Sequence, residues 1–325
     1  ILGVATRMQQ SPVKAFTIAF DHADYDESAI AREMAASTDA EQEVLRLTGA
    51  ELYGESFEAT ALHAERTFYN TLAVAKWHMS RRVRECGYKV VITGEGSDEL
   101  FGGYPFFKRD FYMHAQGGAG REALQKQLDE SNAVFRGAIL AESRQSHAAW
   151  DDLCGFTPSW IQPWMLTLEV CRPLFSDETL HALEGYDPIA EIAAAIDPGM
   201  VRGRHPLDKV QYTWSKTMLE GQILTWGGDR VDMANSVESR PAFLDHHVAE
   251  FATRIPPELR IREGVEKWVL REAAKGVLPR VLYEREKFAF MAPPSHADVA
   301  KAAGLDGLVS KWLTEERIEE AGLFD

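Results

Sequence analysis

The sequence predicts an α/β protein in which a parallel sheet with crossover helices is followed by a mostly helical C-terminal part. Strand and helix patterns alternate through the first third of the chain, as parallel sheet units with crossover helices require. From about residue 115 onward the strand patterns fade, and most segments have the apolar spacing of helices. The chain has 325 residues, of which 45% are hydrophobic, so it can bury a large core.

The first third contains three predicted strands and two predicted helices. The run VKAFTIAF at 13–20 is rich in β-branched and aromatic residues and predicts a strand. A helix is expected at 26–37, because DESAIAREMAAS begins with Asp and has helical apolar spacing. The alternating segment at 41–48 predicts a second strand, a helical stretch follows at about 67–86, and YKVVIT at 88–93 predicts the third strand.

The remaining chain is predicted to be mainly helical. AQGGAG at 115–120 is interpreted as the joint between the two parts, which divides one domain over 1–325 into an α/β part at 1–115 and a helical part at 116–325. The predicted helices lie around 121–150, 206–224, 243–254, 264–275 and 297–320.

The charge balance argues against nucleic acid and membrane surfaces as partners. With 35 Lys and Arg against 50 Asp and Glu the formal net charge is -15 at pH 7, so no general attraction to a phosphate backbone or an anionic bilayer is expected. No apolar run approaches the length needed to cross a bilayer. The three cysteines form no CxxC pair, which favours neither a disulfide framework nor a zinc site and fits a reducing cytoplasm.

One glycine-rich turn carries most of the candidate chemistry. The segment VVITGEGSDELFGGY at 90–104 contains the end of the third predicted strand. Gly94 and Gly96 allow a sharp bend and a close approach to a ligand, with exposed backbone N–H groups. Ser97 or Asp98 can then cap the helix that follows. Because ligands of open parallel sheets bind at the carboxyl ends of the strands, we expect a phosphate or nucleotide site here.

The carboxylates of this turn point to a cation as well. Glu95, Asp98 and Glu99 would repel a bare anion, whereas Mg²⁺ prefers oxygen ligands and bridges carboxylate to substrate phosphate. Asp98 is the natural ligand, and Glu95 could orient or deprotonate a nucleophile. The alternative is that Asp98 and Glu99 only complement the dipole of the helix. That alternative does not explain Glu95 between two glycines, nor Gly102 and Gly103 soon afterwards.

The segment ITGEGSDELFGGY resembles the signature of the synthetase domain of glutamine-dependent asparagine synthetases, which belong to the ATP-pyrophosphatase (PP-loop) group. Three further segments match in the expected order. FTIAF resembles the strand that lines the family's adenine pocket, the segment at 229–252 resembles its Asp-Arg to Pro-Phe-Leu-Asp region, and the segment at 264–290 resembles its Lys-x-x-Leu-Arg-Glu region. The resemblance implies an adenine nucleotide alpha hydrolase-like sheet.

The resemblance implies ATP-dependent amide formation. Family members activate the aspartate side chain with ATP, which gives an acyl-adenylate and pyrophosphate, and ammonia then displaces AMP. The implied partners are therefore ATP, aspartate or another small carboxylic acid, Mg²⁺, and ammonia from a glutaminase domain. A homodimer is one candidate assembly.

Nucleotide contacts follow from the matching positions. Ile18 and its neighbours would contact adenine, Thr93 and Gly94 would lie by the ribose and phosphates, and Asp98 would bind Mg²⁺ with the pyrophosphate. The complete set of implied nucleotide positions is Ile18, Thr93, Gly94, Gly96, Ser97 and Lys287.

Two residues are implied to act directly in the chemistry. Glu95 would face the acyl-adenylate, where a carboxylate can hold or deprotonate the incoming ammonium. Lys267 would neutralise charge on the phosphates during adenylation, and Lys287 is a second candidate for the same charge. Further candidates for substrate contact are Glu99, Arg240 and Asp245.

Several of these residues have a structural alternative. Ile18 could simply be strand core, since β-branched residues in such runs usually are. Lys267 by itself would be a solvated lysine. Arg240 and Asp245 bracket the sequence PAFL and could form an ion pair that positions the site without contacting substrate.

Two parts of the family pattern are expected upstream of Ile1. They are the Ser-Gly-Gly-x-Asp-Ser pyrophosphate loop and the glutaminase domain with its cysteine nucleophile, so we expect the present chain alone to be inactive or nearly so. Two alternative functions stay open. One is an amidotransferase that acts on a different acid in specialised metabolism, and the other is a catalytically inactive homologue that serves as a scaffold.

Overall fold

The structure is a computed structural model that describes residues 1–9, 11–115, 145–285, 287, 290–295 and 304–325. The chain is mixed α/β and forms two compact units, each built from three chain segments. Unit 1 comprises Ile1–Phe101, Met218–Ile255 and Lys267–Asp306. Unit 2 comprises Gly102–Thr217, Pro256–Glu266 and Gly307–Asp325. The units are interleaved along the sequence, and the domain division at residue 115 stays a prediction.

The described elements follow one another in chain order. The first half contains α1 (Leu2–Met8), β1 (Lys14–Phe20), α2 (Ser28–Ala36), β2 (Glu41–Leu47), α3 (Gly49–Leu52), α4 (Glu55–Ala64), α5 (Leu72–Glu85), β3 (Val90–Thr93), α6 (Ser97–Phe101), α7 (Pro105–His114), α8 (Ala148–Cys154) and α9 (Gln162–Cys171). The second half contains α10 (Asp177–Ala182), α11 (Pro188–Ala194), α12 (Pro206–Trp214), α13 (Arg230–Ala234), β4 (Glu238–Pro241), α14 (His246–Ala252), α15 (Pro257–Arg260), β5 (Ile261–Arg262), β6 (Val265–Glu266), α16 (Trp268–Ala274), α17 (Arg280–Glu284), α18 (Leu305–Trp312) and α19 (Glu315–Ala321).

Unit 1 contains two pairs of parallel strands. β1 pairs with β2, with Ile18 opposite Leu45, and β3 pairs with β4, with Thr93 opposite Pro241. The three strands predicted from the sequence are confirmed, whereas β4 was not predicted. Parallel pairing with crossover helices also agrees with the predicted class, although these four strands form two separate short sheets and a continuous larger sheet stays a prediction.

The core of unit 1 lies around α5. This helix packs against α4 and α13. Ala64, Ala73, Trp226 and Val231 form a buried cluster there. Each large apolar side chain buried in this way stabilises the fold by about 1.5–3 kcal/mol. Because α5 also lies against β1 and β2, its position is fixed from two sides.

In its described residues, unit 2 has helices and one short hairpin as its regular elements. Aromatic side chains of α7 pack against α12, and the rings of Phe106 and Trp214 are 4.7 Å apart between centroids. The antiparallel strands β5 and β6 form the hairpin, with Glu263 and Gly264 at positive φ in the turn. Among the described helices, none has the length and apolar character that crossing a membrane would need.

The predicted helices of the second part correspond only in part to the observed ones. The stretch at 206–224 begins as α12 and continues as π-helix over Ser215–Ile223. The stretch at 264–275 is the strand β6 followed by α16, so its first residues are not helical. Most of the helix predicted at 121–150, the start of that at 297–320, and the joint at 116–120 lie outside the described residues.

Candidate active site

The glycine-rich turn connects β3 to α6, as the sequence predicts. The N–H of Leu100 donates to the carbonyl of Gly96, which closes the first turn of the helix at 2.9 Å. Gly96 has φ +94°, and a Cβ atom there would lie 2.3 Å from Cδ2 of Leu244. Only glycine therefore fits this position without displacing its neighbour. Gly94 has open space where a Cβ would project, so the backbone is accessible there.

Glu95 is held by a buried lysine from α5. Nζ of Lys76 lies 3.1 Å from Oε1 of Glu95, and the Lys76 side chain is 8% exposed. Burial by itself would raise the pKa of Glu95, but the Lys76 ammonium, together with hydrogen bonds from the Thr93 side chain and the backbone, outweighs it and lowers the pKa below the ordinary value. Glu95 is therefore ionised in the folded protein at neutral pH.

Asp98 forms ion pairs with both lysines of the predicted site. Nζ of Lys267 is 2.7 Å from Oδ1, and Nζ of Lys287 is 3.4 Å from Oδ2. Burial would raise the pKa of Asp98, but Lys287 and Lys267 outweigh it and lower that pKa. Burial lowers the pKa of Lys267 despite the attraction of Asp98. Two cations thus converge on the carboxylate that was predicted as a metal ligand.

The donor set fits Mg²⁺ only in combination with a phosphate ligand. The part of the chain that the structure describes contains no group of three or more His, Cys, Asp or Glu side chains able to hold a metal ion. Mg²⁺ sites in nucleotide enzymes often use one or two carboxylates, with waters and substrate phosphates as the other ligands. Asp98 could supply one such carboxylate, and Lys267 and Lys287 could then turn to the phosphates.

The remaining predicted residues occupy different environments. Ile18 is 7% exposed near the end of β1, which agrees with the strand-core alternative. Glu99 is 2% exposed within α6. Arg240 pairs with Glu238 at the surface, whereas Asp245 caps α14 by accepting from the N–H of His247 at 2.9 Å. Arg240 and Asp245 therefore do not form the ion pair with each other that was considered as an alternative, because each has a different partner.

Sequence reasoning missed two charged residues beside Glu95. Lys76 lies in the mostly apolar run LAVAKWHM and faces the core, and Asp232 of α13 is 4% exposed. Burial raises the pKa of Asp232. A single lysine on the buried face of a helix was a usable signal, because lysine is almost never buried without a charged partner.

Comparison with known proteins gives one family over the whole chain. The asparagine synthase family model matches residues 1–325. The chain is 28% identical to amidase chry2 of Gibberella zeae and 28% identical to amidase chyE of Penicillium rubens, in each case over 100% of this chain and 49% of the relative. It is 25% identical to asparagine synthetase [glutamine-hydrolyzing] 1 of Bacillus subtilis, over 91% of this chain and 45% of that protein. The chain thus spans about half the length of these curated relatives.

Proposed function

The chain belongs to the asparagine synthase family, and from this premise we propose that its protein forms an amide by adenylating a carboxylate with ATP and transferring ammonia to the adenylate. The observation that carries the proposal is the grouping of Asp98 with Lys267 and Lys287. Asp98 lies three residues after Glu95, in the turn and helix that follow the parallel strand β3. The two lysines supply the positive charge that the phosphates need in the first step. Glu95 supplies the negative charge that an ammonium ion needs in the second step.

The first step is adenylation. An oxygen of the substrate carboxylate attacks the α-phosphorus of ATP, the bond to the bridging oxygen breaks, and pyrophosphate leaves. Lys267 and Lys287 would neutralise the negative charge that builds up on the phosphate oxygens. Asp98 would hold Mg²⁺, which supplies further charge neutralisation when bound. Ile18, Thr93, Gly94, Gly96 and Ser97 are proposed to contact the nucleotide.

The second step is displacement of AMP. Ammonia attacks the acyl carbon, the bond to the phosphate oxygen breaks, and the nitrogen loses a proton. Glu95 is ionised and partly buried, so it can hold an ammonium ion before attack or accept a proton afterwards. Glu99, Arg240 and Asp245 are retained as proposed substrate contacts. Glutamine is the proposed source of the ammonia.

The acid substrate is aspartate or another small acid. Identity to the two relatives named as amidases is 28% over the whole chain, against 25% over 91% of it for an asparagine synthetase. This supports keeping an acid other than aspartate as a second candidate. A panel of carboxylic acids, assayed for acid-dependent AMP release, separates the two.

The test uses the full-length protein that contains this chain, with ATP, MgCl₂ and ammonium chloride. We expect acid-dependent pyrophosphate and AMP release with at least one acid of the panel. Asp98→Asn should reduce adenylation by roughly 10²–10³-fold, because it removes a buried charge that organises the phosphate site. Glu95→Gln should leave adenylation largely intact and reduce amide formation by roughly 10²–10⁴-fold.

A matched control is Asp152→Asn, an exposed position of α8, which should leave both rates unchanged. Parental rates in both Glu95→Gln and Asp98→Asn would falsify the site assignment. Nucleotide binding by calorimetry without AMP release for any acid would instead indicate a catalytically inactive homologue.

A further inference from the structure

Lys76 is a buried cation in the first half of α5, directly after the apolar run Leu72–Ala75. The residue is 6% exposed, and its neighbours Ala73, Val74 and Ala75 are fully buried. Burying an ammonium without a partner is so costly that such a group would lose its proton. Burial by itself would lower the pKa of Lys76, but the carboxylates of Glu95 and Asp232 outweigh it and raise the pKa. Lys76 is therefore a charged residue that α5 delivers to these two carboxylates.

The two oxygens of Glu95 have different environments. Oε1 lies 3.1 Å from Nζ of Lys76. Oε2 is buried and has no hydrogen-bond partner of ordinary geometry within the described residues. A buried carboxylate oxygen without a donor is costly to maintain. This asymmetry leaves Oε2 available to a donor that arrives from outside the chain.

Asp232, the second carboxylate that interacts with Lys76, has contacts of its own. The hydroxyl of Ser239 donates to Oδ2 of Asp232. Nδ2 of Asn235, which follows α13, donates to Oγ of Ser80 at 3.0 Å and so ties α13 to α5. The charges around Glu95 are thus carried on helices that are fixed to each other.

We propose that Lys76 is a positioning residue that holds Oε1 of Glu95 so that Oε2 faces the incoming nitrogen nucleophile, with Asp232 fixing Lys76 through its charge. The inference rests on the proposed function, because the nucleophile is that of its second step. It extends the site to α5 and α13, which carry none of the family's matching nucleotide positions. A purely structural ion pair would affect folding and lower both chemical steps alike, whereas a positioning role lowers only the second step and depends on the carboxylate of Glu95.

A double-mutant cycle in the full-length protein tests this dependence. Lys76→Met should lower ammonia-dependent amide formation by roughly 10–100-fold while adenylation, measured by acid-dependent pyrophosphate exchange, changes by less than about 3-fold. In a Glu95→Gln background the same change should lower amide formation by less than about 2-fold further. Equal losses in both backgrounds, or equal losses in both steps, would overturn the positioning role. Lys89→Met, at an exposed position after α5, is the matched control.

The pH dependence of amide formation gives a second readout. Among the residues that the structure describes, the charged groups that interact with Glu95 are Lys76 and Asp232. Without Lys76, the main charge that opposes the effect of burial on the pKa of Glu95 is lost, so that pKa should rise and the acid limb of the rate profile should move to higher pH. Asp232→Asn removes a negative charge instead and should not move it upward. An acid limb that stays in place in Lys76→Met contradicts the proposal.

The outcomes also separate this inference from the proposed function. If the unaltered protein releases no AMP with any acid, both fall. If it releases AMP but the cycle is additive, only the positioning role falls. If Lys76→Met does not fold, Lys76→Met combined with Asp232→Asn removes the excess buried negative charge, and its comparison with Asp232→Asn alone gives the same two readouts.

Discussion

Asp98 and its two lysines illustrate how single residues in the site balance opposite charges. The pKa of Asp98 is lowered because Lys287 and Lys267 outweigh the effect of burial. The pKa of Lys267 is lowered as well, since its own burial outweighs the attraction of Asp98. The net stabilisation from this cluster is therefore smaller than the shift of Asp98 alone suggests.

Asp98→Asn should change the pH dependence of stability. A depressed pKa in the folded state gives stability that is present above the unfolded value of about 3.9 and is lost as the pH falls through the folded pKa. We expect the variant to be less stable by about 1–3 kcal/mol at pH 7 and equal to the parent at the acid end. Urea unfolding at a series of pH values measures this difference.

Asp152→Asn serves as the control, because this aspartate is exposed on α8. Its stability should follow that of the parent at every pH. A difference between Asp98→Asn and the parent that is constant with pH would contradict the role of the two lysines.

At the scale of elements, the connection of β3 to α6 depends on its contact with the segment after β4. Gly96 has φ +94°, and its missing side chain leaves room for Leu244, which ends a single 3-10 turn at Ala242–Leu244. The turn therefore needs glycine both for its backbone conformation and for the approach of Leu244.

Comparing Gly96→Ala with Gly87→Ala separates the loss of stability that comes from the backbone conformation from the loss that comes from the contact with Leu244. Gly87 has φ +88° but has no atom within 4 Å of an added Cβ, so its substitution meets only the backbone cost of about 1–2 kcal/mol. Gly96→Ala adds a clash and should destabilise the protein by about 1–3 kcal/mol more. Chemical denaturation of both variants measures the difference. Equal losses would show that Leu244 moves away without cost.

Sequence patterns predicted the strands whose residues have an intrinsic preference for the extended conformation that they adopt in the fold. β1 and β3 were recognised because β-branched residues favour strands. β4, with the sequence ESRP, was missed because Glu and Pro disfavour strands, and this segment is extended through its pairing with β3. The π-helix over Ser215–Ile223 was predicted only as helix, because apolar spacing over two turns does not distinguish a π-helix from an α-helix.

The same distinction applies to the site. Glu95, Asp98 and Lys267 were found because they lie in motifs that can be identified locally. Lys76 and Asp232 were not, because their significance comes only from contacts between segments that lie far apart in the sequence. A motif identifies the groups that face a ligand more readily than the groups that hold them.

At the scale of the whole molecule, each unit is assembled from distant segments, so short segments carry long-range contacts. In unit 2, Nζ of Lys108 lies 3.5 Å from Oε2 of Glu266, and the two side chains are 5% and 7% exposed. Nζ of Lys108 also donates to the carbonyl of Gly264 at 3.2 Å. These contacts fix the hairpin of β5 and β6 to α7.

Glu266→Gln should therefore destabilise the protein by about 3–5 kcal/mol, because it leaves the Lys108 ammonium buried without its charge partner. Glu263→Gln, where the side chain is 83% exposed, should change stability by less than about 0.5 kcal/mol. Unfolding by guanidinium chloride measures both. A Lys108→Met, Glu266→Leu double variant should recover most of the loss, and failure of Glu266→Gln to exceed its control would refute the buried pair's importance.

Glu266 and Lys267 are consecutive residues, yet their side chains end in different buried ion pairs, with Lys108 and with Asp98. Glu266 is the last residue of β6, opposite Ile261, so the length of the turn between β5 and β6 fixes where its side chain lies. Inserting or deleting one residue in that turn would change this pairing and displace Glu266 from Lys108, whereas exchanging residue types in the turn leaves the spacing intact. For chimera design, recombination breakpoints and loop grafts belong outside 261–267.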